Sequence, residues 1–255
     1  MNYKQSLVSC KCAQPMIIRI LCLVGLLLPA IAMARPTMLI SSAVFPPFTT
    51  EAHNGFEDRL IPEMYRRAGF DSEVRRLPGQ RGLLMVEDGY MDSTFSRVKG
   101  IVKNYDHLVQ MKEPTFRRDF VVFSKNRNLD IKDWHSLAPL SVAIINGWKI
   151  LEWNIKQYKS LQKVKDAKQL FRFLDSGRVD AVVYAKYSGL YLLNELGIDD
   201  VVIVGQPLAS KDMCVILNQK HRSLLPELDR ILRQMKQDGF YQKVFDETIG
   251  PLINQ

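Results

Sequence analysis

The phrase Gly89-Tyr90-Met91-Asp92 returns as Gly177-Arg178-Val179-Asp180, and each copy follows an apolar helical stripe. Leu83, Leu84 and Val86 precede the first copy; Leu170, Phe171 and Leu174 precede the second. A helix that stops at glycine and passes within two residues into a strand is an αβ unit. Two such units suggest a pair of similar α/β lobes with a ligand cleft between them.

The N-terminus reads as a leader rather than as part of that fold. Lys4, Lys11 and Arg19 supply positive charge, and no acidic residue precedes Glu51. An apolar run over residues 20–28 follows, then Pro29 and the small-residue ending Ala32-Met33-Ala34. This is the layout of a secretory signal peptide cleaved after Ala34, with Met1 or Met16 as the start. The apolar run is short for a membrane span. Cleavage would remove Cys10, Cys12 and Cys22 and leave Cys214 alone, so no disulfide within the mature chain is expected. Cys22 follows Ile20-Leu21, without the small residue a lipid-attachment site wants, so the exported protein is expected free in the periplasm. The formal net charge of +8 falls on cleavage to a mildly basic balance, which suits solubility or an anionic solute.

Strands alternate with helices through the remainder. Strands are expected over residues 37–42, 73–77, 91–95, 108–111, 118–124, 140–145, 179–184, 201–204 and 212–217. Amphipathic helices are expected over 57–68, from Pro78 to 88, over 167–176 and 188–196, and along Leu224, Leu225, Leu228, Ile231, Leu232 and Met235. Asn146-Gly147 is read as opening a further helix towards Tyr158. The predicted class is α/β with mostly parallel sheets covered on both faces. In such sheets ligands bind beyond the carboxyl ends of the strands. The loops of interest are then 43–55, 78–82, 95–100, 146–149 and 184–188.

The order of these features resembles a known family. A signal peptide, a strand, Phe45-Pro46-Pro47-Phe48, Gly55-Phe56-Glu57, an apolar helix and Gly-x-x-Asp come first. A second-lobe strand with Asn146-Gly147, the second Gly-x-x-Asp and the closing Met235-Lys236-Gln237-Asp238-Gly239-Phe240-Tyr241 follow. The set is similar to the extracytoplasmic solute-binding proteins of family 3, which serve polar amino-acid importers of the ABC type. The resemblance implies a two-lobed periplasmic-binding-protein-like fold of type II. Lobe 1 would be residues 35–121 plus 213–255, lobe 2 residues 122–212, and two hinge crossings would join them. It also implies closure over a small ligand, which works as a switch when the ligand touches both lobes. The match departs from the amino-acid-binding members at both ligand anchors. Such members carry Thr-x-x-Arg about a dozen residues after the first Gly-x-x-Asp, where this chain has Asn104; an arginine stands earlier, at Arg97. The aspartate expected five residues after Asp180 is Ala185. A small polar or anionic solute is therefore favoured over an amino acid, with an amino acid or related carboxylate kept among the candidates.

Eight residues are candidates for holding it. Arg97 follows a strand at a sheet's ligand end, where its planar fork suits a carboxylate; a surface arginine or an inter-strand ion pair is the rival reading. Arg81 stands at a helix start, where a cation opposes the helix dipole unless a carboxylate or ligand offsets it. Of Phe45 and Phe48, one ring should face the core, and Phe48 is taken as the one for the ligand. Glu57 could accept from a ligand amine, though an acid in a first helical turn is more simply dipole compensation. Asn146 and Gly147 precede a helix, so their N–H groups suit an anion, while Asn is also an ordinary N-cap. Trp148 and Tyr184 could wall the cleft or belong to the core.

Other classes find little support. The basic run Lys156, Lys159, Lys163, Lys165 and Lys168 lacks the interleaved aromatics of a nucleic-acid site, and the four histidines show no metal-ligand spacing. No phosphate loop, dinucleotide fingerprint or nucleophile elbow occurs. The expectation is a non-catalytic, cofactor-free monomer that delivers its solute to an ABC permease in the inner membrane. The alternatives are a ligand-sensing subunit for a membrane receptor and a dehydratase-like enzyme on the same fold, for which Glu57 with Arg97 or Lys186 is the available pair. Mass spectrometry of the exported protein is expected to find Arg35 at its N-terminus; a retained leader would contradict the reading.

Overall fold

The computed structural model describes residues 34–253, so the leader with its three cysteines and the cleavage expectation lie outside the described residues. The chain begins with β1 (Thr37–Ser42), α1 (Phe56–Arg67), β2 (Asp71–Arg76), α2 (Gly79–Glu87) and β3 (Ser93–Val98). Then come β4 (Leu108–Gln110) and β5 (Phe116–Ser124). The second series is β6 (Ser141–Ile145), α3 (Lys149–Asn154), β7 (Ser160–Val164), α4 (Ala167–Asp175), β8 (Ala181–Ala185) and α5 (Lys186–Leu196). Strand β9 (Val202–Asn218) leads back to α6 (Leu225–Gln237) and α7 (Phe240–Thr248).

All nine strands join in the order β2-β1-β3-β9-β5-β8-β6-β7, with β4 also on β9. The expected parallel pairing holds inside each half: β1 lies parallel to β2 and β3, and β6 parallel to β7 and β8. Antiparallel pairing enters through β5 and β9, which connect the halves. The apolar run Phe120-Val121-Val122-Phe123 is buried because both faces of β5 are covered. Val121 and Phe123 pack with Phe171, Val182 and Tyr184 on one side, Phe120 and Val122 with Ile144, Leu151 and Val183 on the other. Alternate side chains of a strand point to opposite faces, so a strand covered twice must be apolar at every position. In the other half, α1, α6 and α7 cover the sheet through Leu60, Met64, Leu232 and Val244, and α2 covers the opposite face through Leu83 and Val86.

The repeated phrase has the same physical task twice. Gly89 and Gly177 take positive φ, 80° and 69°, at the ends of α2 and α4. The Asp92 N–H donates to the Leu39 carbonyl (2.8 Å), and Asp92 Oδ2 accepts from the Leu39 N–H (2.9 Å). In the second copy the Asp180 N–H donates to the Ser141 carbonyl (2.8 Å), and Asp180 Oδ2 accepts from the Ser141 N–H (2.8 Å). Leu39 and Ser141 each stand one residue before their strand's pairing with β3 or β8 begins. The aspartate therefore supplies the acceptor that the ladder has not yet provided.

Four elements differ from the sequence-based expectation. The two strands expected over 201–204 and 212–217 are one 17-residue strand, β9. Its middle, Gln206-Pro207-Leu208-Ala209-Ser210-Lys211, reads as a loop by composition, yet residues 209–213 pair with β5. Strand β7 was hidden in the lysine run, because an edge strand carries its polar face to water. Helix α7, which packs Val244 and Phe245 against the first half, was not anticipated beyond Gly239. Helix α3 is only six residues long, starts after Trp148 and stops at Asn154.

The register of β5 on β9 shifts between Phe120 and Val122, where β9 turns at Gly205. Gly205 has φ 70°, and a Cβ there would stand 2.1 Å from the Ile131 carbonyl oxygen. Gly205→Ala is therefore expected to cost at least about 2 kcal/mol, combining left-handed strain with a backbone clash, as read by urea unfolding. A loss below about 0.5 kcal/mol would show that the turn yields freely.

Candidate functional site

A cavity of about 200 Å³ lies where the loop after β1, the end of β3, strand β5 and the residue before α3 meet. Its walls are Ala43, Val44, Phe45, Phe95, Ser96, Arg97, Arg118 and Trp148. Three of the loops singled out from sequence, at 43–55, 95–100 and 146–149, thus converge as the carboxyl-end rule requires.

Arg97 is partly buried and held by its own surroundings. Nη2 donates to the Gly79 carbonyl (2.8 Å) and to Thr94 Oγ1 (3.1 Å), and Nε also reaches Thr94 Oγ1 (3.2 Å). A Cβ at Gly79 would lie 3.1 Å from Nη1, so glycine there leaves the guanidinium its room. Arg118 stands across the cavity. Nη2 donates to Ser96 Oγ (3.1 Å), and its guanidinium carbon sits 4.4 Å from the centre of the Phe45 ring and 5.4 Å from that of Phe116. The hydrogen bonds of both guanidiniums go to a carbonyl or to hydroxyls and none to a carboxylate, and Arg118 Nε is buried without a partner. Burial lowers the pKa of both arginines, that of Arg118 to about 10; the Glu57 charge opposes this at both, and Arg97 adds a smaller lowering at Arg118. Two cations thus share this region with one carboxyl nearby, that of Glu57.

Ser96 adopts φ 60°, a left-handed conformation uncommon outside glycine, at the bulge where β3 changes register against β9. The irregularity turns Ser96 and Arg97 into the cavity. Beneath them lies Glu57, fully buried. Its Oε1 accepts from Thr115 Oγ1 (2.9 Å), and Oε2 has no hydrogen-bond partner. Burial raises its pKa to about 7, held back by the nearby Ser96 and Thr115 hydroxyls and by the Arg118 charge.

The aromatic residues form a wall joining the two halves. Trp148 stacks on Tyr184 (ring centres 4.9 Å, planes 12° apart), and Phe45 approaches both, at 6.0 and 6.4 Å. The Ser188 hydroxyl donates to the Pro46 carbonyl (2.6 Å), tying the Phe45 loop to α5.

Of the eight candidates, Arg97 and Trp148 line the cavity. Phe48 does not: it is buried in the core and stacked on Phe116 (4.0 Å, 14°), and Phe45 takes the cavity position. Arg81 is exposed on α2 and lies outside the lining. Glu57 is no exposed dipole-compensating acid. Asp58 takes the end of α1, accepting from the Thr50 and Gly55 N–H groups (2.8 and 3.1 Å) and pairing with Arg76 (2.6 Å). The backbone N–H groups of Asn146 and Gly147 are already used, donating to the Val164 carbonyl (2.7 Å) and Glu152 Oε1 (3.1 Å). Tyr184 is buried behind Trp148 rather than on the cavity surface. Sequence reasoning missed Arg118 and Ser96. The signal for Arg118 was the alternation Phe116-x-Arg118-x-Phe120: an arginine between two inward aromatics on one strand face must itself point inward. Nothing in the sequence marks the bulge at Ser96.

Among the described residues no group of three His, Cys, Asp or Glu side chains could hold a metal ion, and no helix is long and apolar enough to cross a membrane. Cys214 is buried and unpaired with another cysteine.

No protein-family model matches the chain. A protein of Shewanella oneidensis MR-1 whose role is uncharacterised is 20% identical over 224 residues, 84% of each chain. Solved structures match more fully. The P235GK mutant of ArgBP from T. maritima superimposes with a TM-score of 0.65 at 22% identity, over 84% of this chain and 95% of that one. A histidine kinase sensor domain with similarity to periplasmic binding proteins gives 0.68 at 17%, over 85% and 97%. The chain has the two-lobed periplasmic-binding-protein-like fold. At these identities the likeness extends to the fold alone.

A carboxyl with a folded pKa near 7 and an unfolded value of 4.5 binds more protons folded than unfolded between those values. The Glu57 contribution to stability then falls as pH rises from about 4.5 to 7, by on the order of 3 kcal/mol. Thermal melts are expected to show this slope for the parent protein and a flatter profile for Glu57→Gln. An unchanged slope in the variant would assign the pH dependence elsewhere.

Proposed function

We propose that this chain is a periplasmic solute-binding protein of the family 3 type, which captures a small polar or anionic solute between two lobes and delivers it to an ABC importer. The observation that carries the reading is the pair of guanidiniums without carboxylate partners, Arg97 and Arg118, facing one small cavity beside Phe45 and Trp148. Arginine forks suit carboxylates, and an enclosed site strengthens the attraction. Lobe 1 would comprise residues 35–121 plus 213–255 and lobe 2 residues 122–212. The register shift in β5 at Phe120/Val122 supports a crossing at the first boundary. Trp148 from the second series and Phe45, Arg97 and Ser96 from the first give the ligand contacts in both lobes, which closure as a switch requires.

The likeness to a histidine kinase sensor domain favours a second reading, in which the same cleft reports its occupancy to a membrane receptor. Both readings are of a non-catalytic protein in the periplasm; sustained turnover of a prephenate-like acid would overturn them together. Neighbouring reading frames discriminate between the two, a permease and ATPase on one side and a kinase or cyclase on the other.

A panel of polar metabolites is expected to yield at least one that raises the melting temperature and reduces the radius of gyration in small-angle scattering. Arg97→Gln is expected to weaken that response at least tenfold in ligand concentration, the loss of a charge-assisted contact of about 1.5–3 kcal/mol. Absence of any stabilising or compacting solute would remove the basis for transport and sensing alike.

A further inference from the structure

Resting on the solute-binding reading, the structure assigns the cavity a narrower ligand class: small diacids that carry no ammonium group. The cavity is lined by two cationic side chains, one hydroxyl and apolar surface, with no carboxylate among the lining residues. Arg97 and Arg118 come from different strands and face one cavity, with Ser96, the neighbour of Arg97, accepting from Arg118 Nη2 (3.1 Å). Glu57 is a single carboxyl shared between them from outside the lining, so each guanidinium keeps N–H donors for a ligand; two acidic groups on one small molecule satisfy both.

An α-ammonium finds no charged partner on the cavity surface. Glu57 is fully buried and outside the lining, so its unpartnered Oε2 is not presented to the cavity, and its Oε1 is taken by Thr115. An aromatic cage is pre-empted too. Arg118 lies over the Phe45 ring (4.4 Å), and Tyr184 covers one face of Trp148 (4.9 Å, 12°). A ligand ammonium would therefore lose water, gain no carboxylate and face two guanidiniums, which is discrimination by an unpaired buried charge. The volume of about 200 Å³ gives room for a short-chain diacid.

Matched pairs test this directly. Isothermal titration of the dialysed, full-length exported protein would compare succinate with L-aspartate and glutarate with L-glutamate, each pair differing only by the α-amino group. The diacids are expected to bind at least tenfold more tightly than their amino counterparts, and Arg97→Gln and Arg118→Gln each to weaken diacid binding at least tenfold. Circular dichroism melts establish that each variant is folded. Should Arg118→Gln fail to fold, the pair ratios and Arg97→Gln alone decide the outcome. An amino acid binding as tightly as its diacid would overturn the assignment while leaving solute binding intact. Diacid binding indifferent to Arg97→Gln would overturn the location. If none of the four acids and no other polar metabolite binds, this inference and the solute-binding reading fall together.

Discussion

The antiparallel ladder between β5 and β9 is the constraint on which the molecule depends. Among the described residues the two parallel halves of the sheet, β2-β1-β3 and β8-β6-β7, are hydrogen-bonded into one sheet through these strands. Strand β9 pairs with β3 and β4 at one end and with β5 along the rest, and β5 passes on to β8. Both must therefore be regular enough to hold a ladder and irregular enough to serve two twisted sheets. The register shift at Phe120/Val122, and Gly205 against the Ile131 carbonyl, are where that conflict is resolved.

The same ladder brings charge to the centre of the molecule. Arg118 belongs to β5, and its place between Phe116 and Phe120 fixes it on an inward face. Phe45 stacks beneath its guanidinium, Ser96 accepts one of its N–H groups, and Glu57 lies below with one oxygen unpartnered. A buried carboxyl that titrates near neutrality and two arginines of lowered pKa mark a region whose polar groups are deliberately under-satisfied. Protein interiors normally avoid this, and sites that bind charged molecules are where the exception is expected. The strained φ of Ser96 fits the same pattern, since local strain persists where surrounding structure over-determines it.

Much of the fold was legible because it rests on local rules. Amphipathic stripes located α1, α2, α4, α5 and α6, and glycine stops placed their ends. The apolar run before Ser124 announced a strand buried on both faces. The repeat Gly-x-x-Asp pointed to two similar units, and its aspartates indeed close the same hydrogen-bond gap in each. Elements whose identity depends on neighbours were not legible. Residues 206–211 extend β9 because β5 offers a ladder, not because proline and lysine favour a strand. Strand β7 carries lysines because it is an edge.

The site divides along the same line. Arg97 and Trp148 could be named from sequence because each lies near the carboxyl end of a strand, Arg97 in the last residues of β3 and Trp148 just after β6, and those ends are where ligands sit in parallel sheets. Which of Phe45 and Phe48 turns inward, whether Glu57 is exposed or sealed, and how the N–H groups of Asn146 and Gly147 are spent are not local questions. Phe116, Thr115, Val164 and Glu152 answer them, from 5 to 68 residues away along the chain. Sequence by itself determined the alternation of elements and the ends at which a ligand could sit, since periodicity and strand polarity are properties of a single segment. Only the tertiary structure decided the electrostatics, because the charge facing the cavity is set by which side chains from distant strands share one small space.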